Sequence, residues 1–232
     1  MPRRFAFVLV AAAIALFASE QARAATFTFV TSRSALGAND YVDWGQLGPD
    51  DSFAANPSAV TSSLGGSYTV SKAIADSFTR FDQGGCCADA PPPIATGDHL
   101  LFTNDFGNDG QSVILAGGMY GAGADVFADA GGAFVARITA YDSIGNVLAS
   151  FTASGDSNGS ASGSLAPFLG IVSDAPFAKI GFSLDSATGD TNYLGLDRVS
   201  LRTTQAPEPG SLTLLGLVGA GLVSLARRSR SA

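Results

Sequence analysis

Residues suited to acid–base or nucleophilic chemistry are scarce in this sequence. The single histidine, His99, follows Asp98 at the start of a β-rich run, a position typical of a sheet edge. Residues 155–159 match the Gly-x-Ser-x-Gly pattern around a nucleophilic serine, but that mechanism needs a strand-to-helix turn and a histidine farther along the chain. No histidine follows Ser157. The sequence therefore predicts no serine hydrolase.

Carboxylates are plentiful but do not indicate catalysis. Of the 20 acidic residues, all except Glu20 and Glu208 are aspartates between residues 25 and 206. A glycosidase needs two carboxylates across the scissile bond, and no spacing in this set singles out such a pair. Most of the aspartates lie in turn contexts such as residues 49–51, where a short side chain bonds the local backbone. We therefore expect a protein that is not an enzyme.

Two segments raise the question of metal or disulfide chemistry. Residues 104–110 begin like a calcium loop, but Gly107 and Ala116 stand where ligands are needed, so no metal ligand is assigned. A structural calcium ion elsewhere on the loops stays an alternative, and no other cofactor is expected. Cys86 and Cys87 are adjacent in a chain with export signals, which leaves a strained vicinal disulfide, an intermolecular disulfide or two free thiols. We favour a disulfide over metal binding.

Aromatic rings are the residues best suited to contact a sugar, because a flat ring stacks on a pyranose face. The chain has one tryptophan and five tyrosines, of which Tyr41, Trp44 and Tyr120 are the candidates for glycan stacking. A glycan-binding protein would expose two or more of these rings on one face. A purely structural protein would bury or scatter them, so the burial of Trp44 and Tyr141 separates the two functions.

The N-terminal segment has the layout of a secretory signal peptide. Arg3 and Arg4 precede an apolar run, and residues 1–24 end in small residues at the positions that signal peptidase reads. The cleavage site is formed by Ala22, Ala24 and Ala25. The sequence therefore predicts export through the Sec machinery, with a mature chain that begins near Ala25.

The C-terminal segment, residues 207–232, has three parts in a fixed order. These are Pro207-Glu208-Pro209, the uncharged apolar residues 210–226, and the basic residues Arg227, Arg228 and Arg230. The apolar part is long enough for a thin membrane helix, and the arginines hold its end on the cytoplasmic side. The arrangement resembles the PEP-CTERM sorting signal of Gram-negative bacteria. That resemblance implies recognition by an exosortase and removal of the tail during sorting.

Composition restricts the class of the intervening domain, residues 25–206. Eighteen aspartates against seven basic residues give it a net charge of −11, which argues against nucleic acid as a partner. The whole chain is 46% hydrophobic and only 14% charged, values atypical of a disordered segment or a charged helical bundle. Aspartate, glycine, serine and threonine favour turns between strands over helices.

Period-two hydrophobicity indicates that this domain is all-β. In residues 133–141, Phe134, Ala136, Ile138 and Ala140 form one apolar face, and the turn at residues 142–146 predicts a hairpin with residues 147–153. About a dozen such short runs predict one antiparallel β-sandwich of jelly-roll type, with Phe168, Ile180 and Phe182 also in its core. Other expected strands include residues 41–47, 112–120, 124–128, 168–172 and 177–184, and residues 154–164 are expected to form a flexible loop.

The domain also resembles the globular part of a recurrent group of PEP-CTERM proteins. The matching segments are residues 82–84, 97–102, 121–124, 133–138, 168–171 and 196–199. This resemblance implies a fold and a compartment, because little biochemistry is assigned to the group.

Two functions follow from these observations. The first is an exported, exosortase-sorted surface or extracellular-matrix protein that is non-catalytic and associates with exopolysaccharide. The second is a glycan-binding module of lectin type. Both place the protein transiently in the inner membrane, through its C-terminal helix, and then at the cell surface or outside the cell.

Overall fold

A computed structural model describes residues 25–73, 76–85, 90–103, 112–129, 131–158, 163–188 and 193–204. These residues form thirteen strands and two short helices. The strands are β1 (Phe27–Val30), β2 (Asp40–Val42), β3 (Ser52–Ala54), β4 (Ser58–Thr61), β5 (Ser67–Ser71), β6 (Phe78–Asp82), β7 (His99–Phe102), β8 (Ser112–Ala128), β9 (Ala133–Tyr141), β10 (Val147–Asp156), β11 (Phe168–Ala187), β12 (Leu194–Leu196) and β13 (Val199–Arg202). The helices are α1 (Arg33–Leu36) and a 3₁₀ helix (Trp44–Leu47).

Strand β8 organises the sheets, which are antiparallel throughout. One edge of β8 pairs with β11, and the opposite edge pairs in succession with β5, β13 and β12. Strand β11 in turn pairs with β1 and β9, and β10 lies beyond β9. From β12 a second sheet continues through β7 and β6 to β3. The all-β, antiparallel class is confirmed, and the jelly-roll strand order stays a prediction.

Two long strands replace four predicted short ones. Residues 112–120 and 124–128 belong to the continuous strand β8, and residues 168–172 and 177–184 belong to β11. The register between β11 and β8 shifts between Val172 and Phe177. Pro176 lies in this irregular stretch, where its missing N–H interrupts no regular ladder. A bulge therefore accommodates the residues that resembled a strand end.

The predicted core is confirmed at every residue named for it. Phe134, Ile138, Phe168, Ile180 and Phe182 are buried, and each belongs to β9 or β11. The hairpin is also confirmed, because β9 pairs with β10 in antiparallel register. Burying each of these side chains contributes roughly 1.5–3 kcal/mol.

Two local predictions are wrong. Residues 41–47 are not one strand, because β2 ends at Val42 and a 3₁₀ helix begins at Trp44, where the Asp43 carboxylate accepts a hydrogen bond from the Gly45 N–H. The expected loop at residues 154–164 begins later, because β10 extends to Asp156, which forms an isolated bridge with Leu165.

The final strand, β13, ends at Arg202, inside the predicted domain of residues 25–206. Among the residues that the structure describes, no helix is long and apolar enough to cross a membrane. The predicted signal peptide at residues 1–24 and the predicted membrane helix at residues 210–226 lie outside the described residues. The predicted domain boundaries therefore stay predictions.

Candidate functional site

A cleft of about 630 Å³ lies beside α1, and we call it the Arg33 cleft. Its lining combines charged and apolar residues. The charged residues are Arg33, Asp98, Asp125, Asp197 and Arg198. The apolar wall includes Ala153, Leu165, Ala166, Pro167 and Phe168.

Distant parts of the chain supply the charged residues. Arg33 is the first residue of α1, and the N-cap Ser32 accepts a hydrogen bond from the Ala35 N–H. Asp125 lies on β8, and Asp197 lies in the short connection between β12 and β13. Both of these strands pair with β8, so the antiparallel ladders bring the two carboxylates together.

The Arg33 guanidinium is held by a set of hydrogen bonds that uses all of its nitrogens. Its Nε and Nη2 donate to Asp125 Oδ2 at 3.1 and 2.6 Å, and Nη2 also donates to Asp197 Oδ2. Its Nη1 donates to Ser200 Oγ at 2.6 Å and to the Arg198 carbonyl at 3.3 Å. The guanidinium also lies 5.5 Å from the centre of the Phe168 ring. Arg33 therefore fixes the geometry of two aspartates.

Burial leaves these carboxylates short of compensating charge. The side chains of Asp125 and Asp197 are only 7% and 6% exposed. Burial raises the pKa of Asp197 to about 6, and the charges of Asp98 and Asp125 add to the rise, while Arg33 opposes it. Burial also raises the pKa of Asp125 against the same opposition from Arg33. One guanidinium does not offset the removal of two carboxylates from water.

The remaining charged residues of the cleft are less constrained. The exposed Arg198 guanidinium stacks on the Tyr41 ring, 5.5 Å from its centre. The Asp98 carboxylate accepts a hydrogen bond from the Ala95 N–H at 2.8 Å. The cleft thus offers both a guanidinium donor and carboxylate acceptors at its surface.

The tail of the chain identifies how the protein is sorted. Residues 205–231 match the family model of the PEP-CTERM protein-sorting motif. The chain carries a PEP-CTERM sorting motif. The motif implies that an exosortase processes this protein during its passage through the membrane toward the cell surface. The resemblance found in the sequence at Pro207, Glu208 and Pro209 is thereby confirmed.

Solved structures show only distant similarity to this PEP-CTERM protein. A DUF4465 family protein from Bacteroides caccae is 13% identical over 71% of this chain and 100% of its own, with a TM-score of 0.39. A mutant of the family 29 carbohydrate-binding module CBM29-2 is 13% identical over 80% of this chain and 98% of its own (TM-score 0.26). TmCBM61, solved with β-1,4-galactotriose, is 12% identical over 59% of this chain and 88% of its own (TM-score 0.25). No curated protein matches the sequence.

The aromatic residues of the PEP-CTERM protein do not form the predicted stacking set. Trp44 is completely buried, so its predicted role in glycan stacking is wrong. Its indole N–H donates to the Asp197 carbonyl at 3.0 Å, which supports the Arg33 cleft from inside the protein. Tyr41 is 41% exposed beside Arg198, whereas Tyr120 and Tyr141 are half-buried on other strands. Of the exposed or half-buried rings among these residues, Tyr41 is the one that reaches the cleft, through its contact with Arg198.

His99 lies between two aspartates. Its Nδ1 lies 2.5 Å from Asp43 Oδ1, and its Nε2 lies 3.6 Å from Asp82 Oδ1. Asp43 is also the N-cap of the 3₁₀ helix. His99 therefore fastens this helix to β7, and its neighbour Asp98 lines the Arg33 cleft instead.

Ser157 is unsuited to act as a nucleophile. The residue is only 8% exposed, and its Oγ accepts a hydrogen bond from the Ala128 N–H at 3.0 Å. The strand before it ends at Asp156, and neither Ser157 nor Asn158 is helical. The serine instead anchors the end of β8.

No cluster of three potential metal ligands occurs within the described ranges. In the Arg33 cleft the guanidinium already occupies the space between Asp125 and Asp197 where a cation would bind. Several predicted sites lie outside the described residues. They are the calcium-like segment 104–110, Cys86, Cys87, Ala22, Ala24, the sorting triplet, and Arg227, Arg228 and Arg230.

The sequence did not single out Arg33, Asp125 and Asp197 as a site. Asp125 lies 92 positions after Arg33, and Asp197 lies 164 positions after it. No local motif therefore joins the three residues. One available signal was the rarity of basic residues, because only seven lie between residues 25 and 206.

Proposed function

We propose that the mature domain is a non-catalytic protein of the cell surface or extracellular matrix that associates with exopolysaccharide. The observation that carries this proposal is the PEP-CTERM motif at residues 205–231, which implies delivery to the surface. The environments of His99 and Ser157 support a role without catalysis, because both side chains serve local structure.

The sorting part of the proposal is tested by replacing Pro207, Glu208 and Pro209 with alanine. We expect the triple variant to accumulate uncleaved in the inner membrane, while the domain keeps its fold. Cell fractionation and the mass of the recovered protein measure the outcome. Thr204→Ala, just before the matched triplet, is the control and should be sorted normally. Normal surface delivery of the triple variant would contradict exosortase sorting.

The association with exopolysaccharide is tested by co-sedimentation of the secreted protein with polysaccharide from the producing cells. We expect binding without release of new reducing ends, which would distinguish a matrix protein from a glycosidase. Shortening of the polysaccharide by the purified protein would show that the domain is an enzyme. Recovery of the protein entirely in the supernatant would contradict the association.

A glycan-binding module is the second candidate function, and the Arg33 cleft favours it. A pyranose has an apolar C–H face and a rim of hydroxyl groups, and the cleft is lined by both apolar residues and charged hydrogen-bonding groups. Saturable binding of a short oligosaccharide, measured by calorimetry, would support this candidate. Binding only to long polymers would favour a matrix protein without a defined sugar site.

A further inference from the structure

The Arg33 cleft contains hydrogen-bonding groups that the protein itself leaves available. Within the described part of the chain, Asp125 Oδ1 accepts no hydrogen bond, since both contacts from Arg33 reach Oδ2. Across the same ranges, the Arg198 guanidinium makes no hydrogen bond, although the Tyr41 ring holds it in place. The cleft thus presents a carboxylate acceptor and a guanidinium donor that are both positioned in advance.

We propose that the Arg33 cleft is a saccharide subsite that binds a pyranose unit lacking a carboxylate and rejects uronic acids. The proposal rests on the association with glycan argued above. In this site Asp125 and Asp98 accept hydrogen bonds from sugar hydroxyls, and Arg198 donates to a ring substituent. The exposed Leu165 and the half-buried Ala153, both in the apolar part of the lining, contact the C–H face of the ring.

The exclusion of uronic acids follows from charge. Three aspartates and two arginines line the cleft, so its formal charge is negative when all five are ionised. Arg33 has no hydrogen-bonding nitrogen left for a ligand, because its three nitrogens donate to Asp125, Asp197, Ser200 and the Arg198 carbonyl. A sugar carboxylate would therefore meet three carboxylates, two of which are already paired with Arg33, and of the two arginines only Arg198 has donors left to bind it. Desolvated like charges repel strongly.

The wider domain reinforces this preference. Its net charge of −11 repels anionic polymers at a distance, before any contact with the cleft. A protonated amino sugar is attracted by the same field, so a glycan with free amino groups should bind at least as well as its neutral counterpart at low salt.

The test measures binding of the full chain, purified in detergent, to an array of neutral, amino-sugar and uronate oligosaccharides. We expect binding to neutral and amino-sugar members and none to uronates. Calorimetry with the best binder should then show about tenfold weaker binding for Asp98→Asn and for Arg198→Ala, since each removes a charged hydrogen bond. Asp185→Asn is the matched control for Asp98→Asn, because it removes the same charge on β11 outside the cleft.

The outcomes separate this inference from the broader function. If uronates bind as tightly as neutral sugars, or if the cleft variants bind normally, the subsite assignment is wrong while glycan binding stands. If no oligosaccharide of any class binds, the glycan-binding function itself is wrong. Circular dichroism of each variant shows whether a loss of binding reflects unfolding. If Arg198→Ala is unfolded, the milder Arg198→Gln replaces it.

Discussion

Two arginine–aspartate clusters of similar chemistry lie in very different surroundings. In the Arg33 cleft, Arg33 bonds two aspartates whose side chains are 7% and 6% exposed. On the outer face of the sheet, Arg137 of β9 bonds Asp185 of β11, with side chains 41% and 29% exposed. Each arginine also donates to a serine, Ser200 in the cleft and Ser150 on the sheet face.

The difference shows that burial, more than the choice of residues, makes an ion pair into a candidate site. Water screens the Arg137–Asp185 pair, so its charges are largely satisfied by solvent. In the cleft, the two carboxylates are mostly buried and remain electrostatically costly, as the raised pKa of Asp197 indicates. Such a site gains more from a ligand that supplies hydrogen bonds.

The largest expected difference in stability is between the variants that remove the arginine of each cluster. Arg33→Ala leaves two buried carboxylates without a partner and should lower the free energy of unfolding by about 3 kcal/mol. Arg137→Ala should lower it by only about 0.5 kcal/mol, because solvent replaces the lost contact. Urea denaturation of both variants measures the contrast. Equal losses would show that the two clusters do not differ in the way that their burial implies.

An intermediate effect is expected from pH. The pKa of Asp197 is about 6 in the folded protein, above the ordinary value of about 3.9, so the folded state binds the proton more tightly. Asp197 therefore contributes stability at low pH that is lost as the pH rises through 6. Between pH 7.5 and pH 5 the free energy of unfolding should increase by about 1.4 kcal/mol from this group.

The control for this pH effect is a pair of matched variants. Asp197→Asn should remove the part of the increase that comes from Asp197 and leave any part that comes from the raised pKa of Asp125, whereas Asp185→Asn on the exposed face should retain the whole increase. Measurements stop at pH 5, because Asp40 titrates below that range. Burial raises the pKa of Asp40, but hydrogen bonds from Ser63 and Leu64 help to lower it below its ordinary value. A wild-type protein that loses stability from pH 7.5 to pH 5 would reverse the assigned sign.

The smallest effect separates the two serines. Ser200→Ala removes a buried hydroxyl 2.6 Å from Arg33 Nη1 and should lower the free energy of unfolding by about 1 kcal/mol. Ser150→Ala removes a half-buried hydroxyl 3.0 Å from Arg137 Nη1, and solvent can replace it, so the expected loss is less than about 0.5 kcal/mol. Thermal denaturation resolves the difference, and a larger loss for Ser150→Ala would contradict it.

Much of the fold was predictable because its determinants are local. The alternation in β9 placed Phe134 and Ile138 in the core, and the turn after Tyr141 indicated the hairpin with β10. The continuity of β8 and β11 was not predictable from the same pattern. In the sequence, Pro176 and the glycines near it look like the ends of strands. Only the pairing of β8 with β11 shows that they form a bulge within two continuous strands.

The candidate site was less predictable because its parts meet only through the strand pairing. Trp44 illustrates the difficulty, because composition offers it as an exposed ring for a sugar. The cap at Asp43 turns the chain into a 3₁₀ helix, which buries the indole against the Asp197 carbonyl. Tyr41, two positions before the cap, remains partly exposed on β2 beside Arg198.

The strand pairing also determines when this protein can fold during export. Strand β1 pairs with β11, and β2 pairs with β13, so the first strands to emerge need partners from the last quarter of the domain. Arg33, just after β1, likewise waits for Asp197. Such long-range contacts form slowly, because a long loop must close before they are made. The N-terminal strands therefore stay unpaired until the last quarter of the domain has crossed the membrane, and the cleft cannot form before then.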